Sequence, residues 1–568
     1  MSLDPASSAS HFWQIGELLD YLFERCSVAD LASCARVSKH FQSHASDQLY
    51  KDVSTLQNVL QFLGPVGHET FSQNDGKLNF AFHLMPYMWR RFIPYGQRVR
   101  SLEYDESKLP SDGQLDEFCF NEIAATCPTG KVFPFLQDVK LVWRGPAIRG
   151  RFSPIFMGES LRRLSVDCDT QTLHYFLGSI PRVAPNLEVF RLVCSFHNST
   201  IISLGDDIEG GLVALINGLP TLREVTLPSE LLSQEVSLTL AAHPRIESTS
   251  QWWSKPLLWP QSFVAGSERL RTFRADIELD EMTRWLQPKS TESTLNTLHL
   301  SIRDIEPGDD INHCFGLLSK GFPDLTTLIL DLNTHNTPSN HPEVTDDGLK
   351  ALCSLRSLEL FRLETPVPLP VLEKDIEQMA KAWPELRSFA LISPSICTNT
   401  RSNVTLGILV TLTQSWPKLR ALSLVFNTTL SPSRHPSGEE GFAYPDFEID
   451  VGCSPIADAA AIAIFLSQLL PEYTRLLHCD QTLPKRTTST ARQAKFKSRH
   501  QRWKEVTTLL KPLLGARARE KDAETKVKSM TAELHLAQQE NAELNRKLKN
   551  FSRSIESKSA PIMDYDQS

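Results

Sequence analysis

The chain has 568 residues, 41% hydrophobic and 22% charged, with a formal net charge of −8. These are the proportions of a folded, soluble chain, and the length predicts several domains or one long repeat array. They exclude a membrane-spanning or disulfide-framed protein. MSLDPASSAS has no basic start followed by an apolar run, and the longest apolar stretch, Ile456 to Leu470, is short and carries Asp458 and Gln468. The eleven cysteines stand singly with no Cys-x-x-Cys pair, which predicts a reducing compartment, cytoplasmic or nuclear, and no metal site.

The first predicted elements lie within residues 11–63. Ile15, Leu18, Leu19 and Leu22 fall at i, i+3, i+4 and i+7, an apolar stripe on one helix. Ser27 and Asp30 stand three apart before Leu31, a helix-start box in which side chains satisfy orphan backbone donors. Leu31, Cys34, Ala35 and Val37 open a second helix that Phe41 closes, and a further short helix is predicted from Asp47 to Phe62. Three helices of this size bury little surface alone, which predicts a partner that completes the core.

The segment from His11 to Leu63 resembles the F-box, a module of about fifty residues that docks a protein onto a Skp-type adaptor. Ile15-Gly16-Glu17-Leu18-Leu19 stands where that family commonly has Leu-Pro or Ile-Pro and then Glu-Leu-Leu, with Gly16 in place of the proline. Losing the proline loosens the helix start. Leu31…Cys34-Ala35-Arg36-Val37-Ser38-Lys39…Phe41 matches the family's second helix, and Leu49-Tyr50 its trailing Leu-Trp. The resemblance implies that Ile15, Gly16, Leu18, Leu19, Leu22, Leu31, Cys34, Val37 and Phe41 divide between a small core and the adaptor groove. It also implies a cullin–RING ubiquitin ligase beyond the adaptor, and a chain that does no chemistry itself.

After a connector at 64–98, residues 99–429 repeat a Leu-x-x-Leu-x-Leu pattern. The hits begin at Val99, Leu136, Leu161, Leu187, Leu222, Leu270, Leu295, Leu325, Leu355, Leu386 and Leu419. Phe322-Pro323, Trp383-Pro384 and Trp416-Pro417 end the helices between strands, because proline cannot supply the next hydrogen bond. Amphipathic helices are predicted over Val371 to Ala382 and Val404 to Ser415. A strand and a helix about every thirty residues resembles a leucine-rich-repeat solenoid, an α/β fold of parallel sheet and outer helices. The family's ninth-position asparagine is present only as Asn333 and Asn427, so the array is degenerate.

Downstream, the Pro/Ser/acidic stretch 430–455 reads as a loop and 456–479 as one or two capping helices. Residues 480–515 read as a basic linker, interrupted by Pro512 and Gly515, and 558–568 as a disordered terminus. From Lys485 to Arg553 there are 18 Lys or Arg against 7 Asp or Glu, a solvated linker or a nuclear-import or acidic-partner patch. Within 516–557, Val527, Met530, Leu534, Ala537, Asn541, Leu544, Leu548, Phe551 and Ile555 alternate spacings of three and four, the a/d seam of a coiled coil. Asn541 occupies an a position. Weak self-association is one outcome; a single helix folded back on the solenoid is the other.

No Gly-x-Ser-x-Gly, phosphate-cradling loop, His-Glu-x-x-His or catalytic cysteine box is present. Neither an enzyme nor a cofactor is expected, and the interrupted basic stretch is a poor nucleic-acid reader. Irregular repeats behind an F-box look most like the large fungal F-box families. The expected function is substrate recognition for a Skp–cullin–F-box ubiquitin ligase; the alternative is a leucine-rich-repeat scaffold without a ligase. In each strand the third, fifth and seventh positions face outward. Early strands place charge there: Asp138, Lys140, Arg163, Asp167, Arg191, Arg274 and Asp276. Later strands place Ile329, Phe361, Ile392 and Val425, an expected apolar stripe for an unknown protein substrate.

Overall fold

A computed structural model of the chain describes residues 13–68, 77–110, 113–144, 147–173, 176–194, 206–228, 231–252, 269–286, 294–303, 311–332, 344–365, 369, 371–393, 402–437, 440–478 and 490–558. Two compact units result, Met1–Leu358 and Glu359–Ser568.

The first unit opens with α1 (Gly16–Phe23), α2 (Val28–Cys34) and α3 (Lys39–Leu49). The Ser27 hydroxyl caps α2: it accepts from the Asp30 amide at 3.3 Å and donates to the Asp30 carboxylate at 2.6 Å. Sequence reading ran one helix from Leu31 to Phe41. Instead the chain turns after Cys34, and the Ser38 hydroxyl accepts the Phe41 amide to start α3. No helix runs from Asp47 to Phe62 either. Leu49 ends α3, β1 (Asp52–Val53) follows, and a short helix covers Leu56–Leu60.

Parallel strands then accumulate in chain order. After the antiparallel hairpin β2 (Val66–His68) and β3 (Leu78–Phe80) come β4 (Ser101–Asp105), β5 (Asp138–Val142), β6 (Arg163–Cys168), β7 (Val189–Cys194) and β8 (Glu224–Pro228). They continue through β9 (Ser248–Trp252), β10 (Thr272–Glu278), β11 (Thr297–Arg303) and β12 (Thr327–Asp331). Each strand pairs only with its sequence neighbours, β1 joining β4 directly. Register aligns equivalent repeat positions, as in Leu102↔Val139, Val139↔Leu164 and Leu164↔Phe190, then Phe273↔Leu298 and Leu298↔Leu328. Every one of these side chains is buried. The inward face is thus a stack of apolar columns that only neighbouring repeats can cover.

The second unit holds β13 (Leu360–Glu364), β14 (Ser388–Ile392), β15 (Ala421–Ser423), β16 (Glu448–Asp450) and β17 (Arg475–Leu477), again parallel and in order. Its core carries an aromatic ladder. Phe361 lies 4.8 Å from Trp383 and 5.9 Å from Phe389, and Phe389 lies 4.9 Å from Trp416. The tryptophans that precede the prolines are therefore core residues as well as helix ends, their amides closing on Met379 and Leu412. This repeated strand–helix order is the architecture of a leucine-rich-repeat solenoid.

Several boundaries differ from the sequence reading. The sheet starts at Asp52, ahead of the predicted Val99, and the expected connector 64–98 holds the separate β2–β3 pair and a helix, Pro86–Gly96, with Phe80, Leu84, Trp89 and Phe92 buried. The predicted loop 430–455 contains β16, whose Ile449 is buried with Phe442, Phe447 and Val451. The predicted capping segment is one helix, Ala459–Leu469, followed by β17. The described part of the predicted basic linker is helical: one helix spans Thr490–Lys558, through Pro512 and Gly515. Burial explains that continuity. Trp503, Val506, Leu510 and Leu514 are buried, and their docking on both sides of Pro512 outweighs its roughly 3 kcal/mol helix penalty. Asn333 and Cys479 lie outside the described residues, as do residues 11–12 and 559–568.

Candidate functional site

Two surfaces emerge from this framework. On the N-terminal helices, Leu19 and Phe23 of α1 meet Leu31 and Ala45 in a small core, ringed by half-buried Cys26, Cys34, Ala35, Phe41 and Leu49. Phe41 sits 5.7 Å from Phe23 and 5.6 Å from Trp13. The stripe Ile15–Leu18–Leu19–Leu22 therefore splits. Leu19 turns inward, whereas Ile15, Leu18 and Leu22 stay in solvent beside exposed Trp13 and Tyr21. With α3 as the main neighbour, α1 has only enough cover for the Leu19/Phe23 pair. Val28, which opens α2, and Val37, in the turn that follows it, are also exposed. Trp13, Tyr21 and Val28 escaped the sequence reading because they fall off its heptad-like spacing.

Gly16 has a structural reason beyond a loosened helix start. A Cβ there would lie 2.9 Å from His44 Cε1, so glycine lets α3 approach α1 closely. His44 Nδ1 in turn lies 2.7 Å from Asp20 Oδ1 on α1. The three helices are then fastened to the first repeat. Tyr50 lies 5.0 Å from Tyr95, which stacks on Phe62 at 4.0 Å, and burial pushes the Tyr50 phenol up. Arg98 Nε donates to Asp47 at 2.7 Å, while the Lys51 carbonyl accepts from the Arg100 and Ser101 amides.

The second surface is the outward row of the sheet. Its early charges are paired across strands: Lys140 to Glu103 at 3.0 Å, Arg163 to Asp138 at 2.7 Å, and Arg191 to Glu224 at 2.7 Å. Asp167 takes both guanidinium nitrogens of Arg144, at 3.0 and 2.5 Å. Hydrogen bonds from Lys108 and Lys140 hold the Glu103 carboxyl below its ordinary range. These pairs occupy one another, so the early strands offer less free charge than their sequence implies.

The predicted apolar stripe needs one correction. Phe361 points into the core, fully buried in the aromatic ladder. The reason is a three-residue shift: Leu355-x-x-Leu358-x-Leu360 also reads as Leu358-x-x-Phe361-x-Leu363, and the buried set is Leu358, Phe361 and Leu363. Ile329, Ile392 and Val425 are half-buried on the outward row, as the alternation requires. Ile392 and Val425 share a hollow with Thr365, Val371, Leu391, Val404 and Leu424. Nearby, Asn427 is buried and accepts from the Thr429 amide and hydroxyl, closing its own turn.

On the C-terminal helix, the seam residues Val527, Met530, Leu534, Asn541, Leu544 and Leu548 are all exposed, so the folded-back alternative does not hold for this stretch. Among the described residues, no three His, Cys, Asp or Glu side chains gather as metal ligands, and no helix is long and apolar enough to cross a membrane.

No family model matches the chain, and no curated protein matches it. It is similar to a chain of the yeast Rad7–Elc1 complex at 15% identity and a TM-score of 0.35, over 64% of this chain and 80% of that one. A chain of the Drosophila Toll–Spatzle complex matches at 12% identity and a TM-score of 0.27, covering 72% of this chain and 59% of that one. The leucine-rich-repeat ectodomain of the Arabidopsis thaliana receptor kinase GASSHO1/SCHENGEN3 matches at 12% and 0.27, over 70% and 43%. The parallel sheet, with its strand and helix repeated in order, defines a leucine-rich-repeat fold.

Proposed function

We propose that this chain is a non-catalytic substrate receptor of a Skp–cullin–F-box ubiquitin ligase, acting in the cytoplasm or nucleus. The observation that carries the reading is the split of α1: Leu19 and Phe23 hold a minimal core, while Ile15, Leu18, Tyr21 and Leu22 remain in water. A soluble protein keeps few large apolar side chains together on so small a module unless a partner covers them. The adaptor is the occupant that the Ile15–Phe41 resemblance implies. Because Asp52 enters the sheet three residues after α3, an adaptor seated there is held at a set position from the repeats of the first unit.

The protein substrate is assigned to the outward row, with the Ile392–Val425 hollow as its apolar anchor point. A buried apolar anchor beside polar surface is the usual composition of an energetic centre in protein recognition. Co-purification with a Skp-type adaptor tests the first half. The expected result is a stoichiometric complex with the parental chain and a strongly depleted one with Ile15→Ser/Leu18→Ser/Leu22→Ser; a complex undiminished by the triple substitution overturns the reading.

A further inference from the structure

We infer that the C-terminal helix pairs with a second copy of this chain as a parallel two-stranded coiled coil, making the receptor a dimer. This does not depend on the adaptor reading. The helix Thr490–Lys558 has two regimes. Its first part is anchored: Trp503, Val506, Leu510 and Leu514 are buried, and Trp503 Nε1 donates to the Ser454 carbonyl at 2.9 Å. Arg499 and Arg502 donate to the carbonyls of Cys453 and Ile456, each at 2.8 Å. From Arg519 to Ser554 every side chain is exposed.

That bare stretch carries Val527, Met530, Leu534, Leu544, Leu548 and Phe551, each 57–69% exposed. The six lie on one a/d seam, about 36 Å long at 1.5 Å per residue. A helix without tertiary contacts gains little from propensity alone, and such a seam is covered in water by another helix.

The residues in and beside the seam decide which helix. The g positions flanking the seam are Lys526, Glu533, Glu540 and Lys547; the e positions are Thr531, Gln538, Asn545 and Ser552. In a parallel pair each g residue faces the e residue five further on in the other copy. Every such contact is charged against neutral, and none is repulsive. An antiparallel pair sets g against g. In one register Lys526 then meets Lys547 and Glu533 meets Glu540, all repulsive; on a shift of one heptad Glu533 meets Lys547 twice, or Lys526 meets Glu540 twice, against a single Glu–Glu self-contact, so charge disfavours only the first register. Asn541 adds to this. At an a position in a parallel pair it meets its own counterpart and the two amides hydrogen-bond. In an antiparallel pair it faces a d residue and loses that partner. In the parallel orientation the seam thus pairs its own asparagine and sets no like charges against each other.

Sedimentation equilibrium of the full chain tests the inference. The expected mass is twice the 64.0 kDa of one chain. Leu534→Glu/Leu544→Glu should weaken association by at least about a hundredfold, at a factor of ten or more per buried leucine. Thermal unfolding of the sheet should not change, since both residues lie outside its core. Orientation is read by Leu548→Cys, which should cross-link chain to chain under mild oxidation well above the background of the parental thiols. A chain that stays monomeric at tens of micromolar overturns the inference. So does a dimer indifferent to the double substitution, or a dimer in which Leu548→Cys does not cross-link.

Discussion

The split of α1 makes two adjacent leucines behave in opposite ways. Leu19 is fully buried in a core whose other fully enclosed members are Phe23, Leu31 and Ala45. Leu19→Ala should cost about 2–5 kcal/mol. Because that core is so small, the loss should open the three helices locally, with faster amide exchange over 16–49. Across the helix, Ile15, Leu18 and Leu22 are 44%, 38% and 37% exposed. Covering a whole aliphatic side chain is worth about 1.5–3 kcal/mol, so the exposed fractions of the three together hold roughly 2–3.5 kcal/mol in reserve for a partner. Ile15→Ser/Leu18→Ser/Leu22→Ser should therefore weaken adaptor binding about thirtyfold to several-hundredfold. Its melting temperature and exchange pattern should stay parental. Calorimetric titration against the adaptor, run beside hydrogen exchange, separates the two outcomes. The reasoning fails if the triple variant opens α1–α3 as Leu19→Ala does, or if Leu19→Ala leaves exchange untouched.

Phe361→Ala should destabilise the second unit by about 3–5 kcal/mol, whereas Ile392→Asp with Val425→Asp should lose the substrate at little cost in stability; chemical denaturation and pull-down together check this. Trp503→Ala should cost about 3–5 kcal/mol of helix docking, seen as proteolysis within 496–514 while the sheet stays intact. Burial, followed by the facing His500 ring at 5.0 Å, holds His478 below its ordinary value despite the opposing pull of Asp450. A depressed histidine is stable neutral, so its contribution is full above its unfolded pKa of about 6.5 and is lost as pH falls through the lower folded value. Helix docking should loosen on acidification, and His478→Gln should flatten that dependence in hydrogen exchange at 496–514.

The sequence showed the repeats well because their signal is redundant. Ten of the eleven predicted strand starts are in phase with the buried columns. Leu355 failed only because a leucine every three residues satisfies the pattern twice. Strand β9 was missed inside the 48-residue gap before Leu270, since Thr249 and Gln251 stand where the motif wants leucines. Buried Thr249 holds the place by backbone pairing to its neighbours. Pro512 misled for a similar reason: local propensity spoke for a break, and tertiary burial of Leu510 and Leu514 overruled it. The two candidate surfaces were legible as residues but not as faces. Periodicity says which side chains are neighbours; it cannot say how much neighbouring structure is present to cover them, and α1 has cover for only two.

The shortness of β1 in the first unit and of β17 in the second has a consequence for colloidal behaviour. Interior strands such as β10 and β11 run seven residues, but β1 has two and β17, the last among the described residues, has three. Arg475 on β17 is tied to Glu448 at 3.4 Å and otherwise lies in solvent. A foreign strand that added to either would gain only two or three residues of ladder, and at β17 it would have to desolvate a guanidinium. Long stacks of parallel strands invite end-to-end growth into fibrils. At β1 and at β17 the ladder tapers, which makes each a poor template for strand addition.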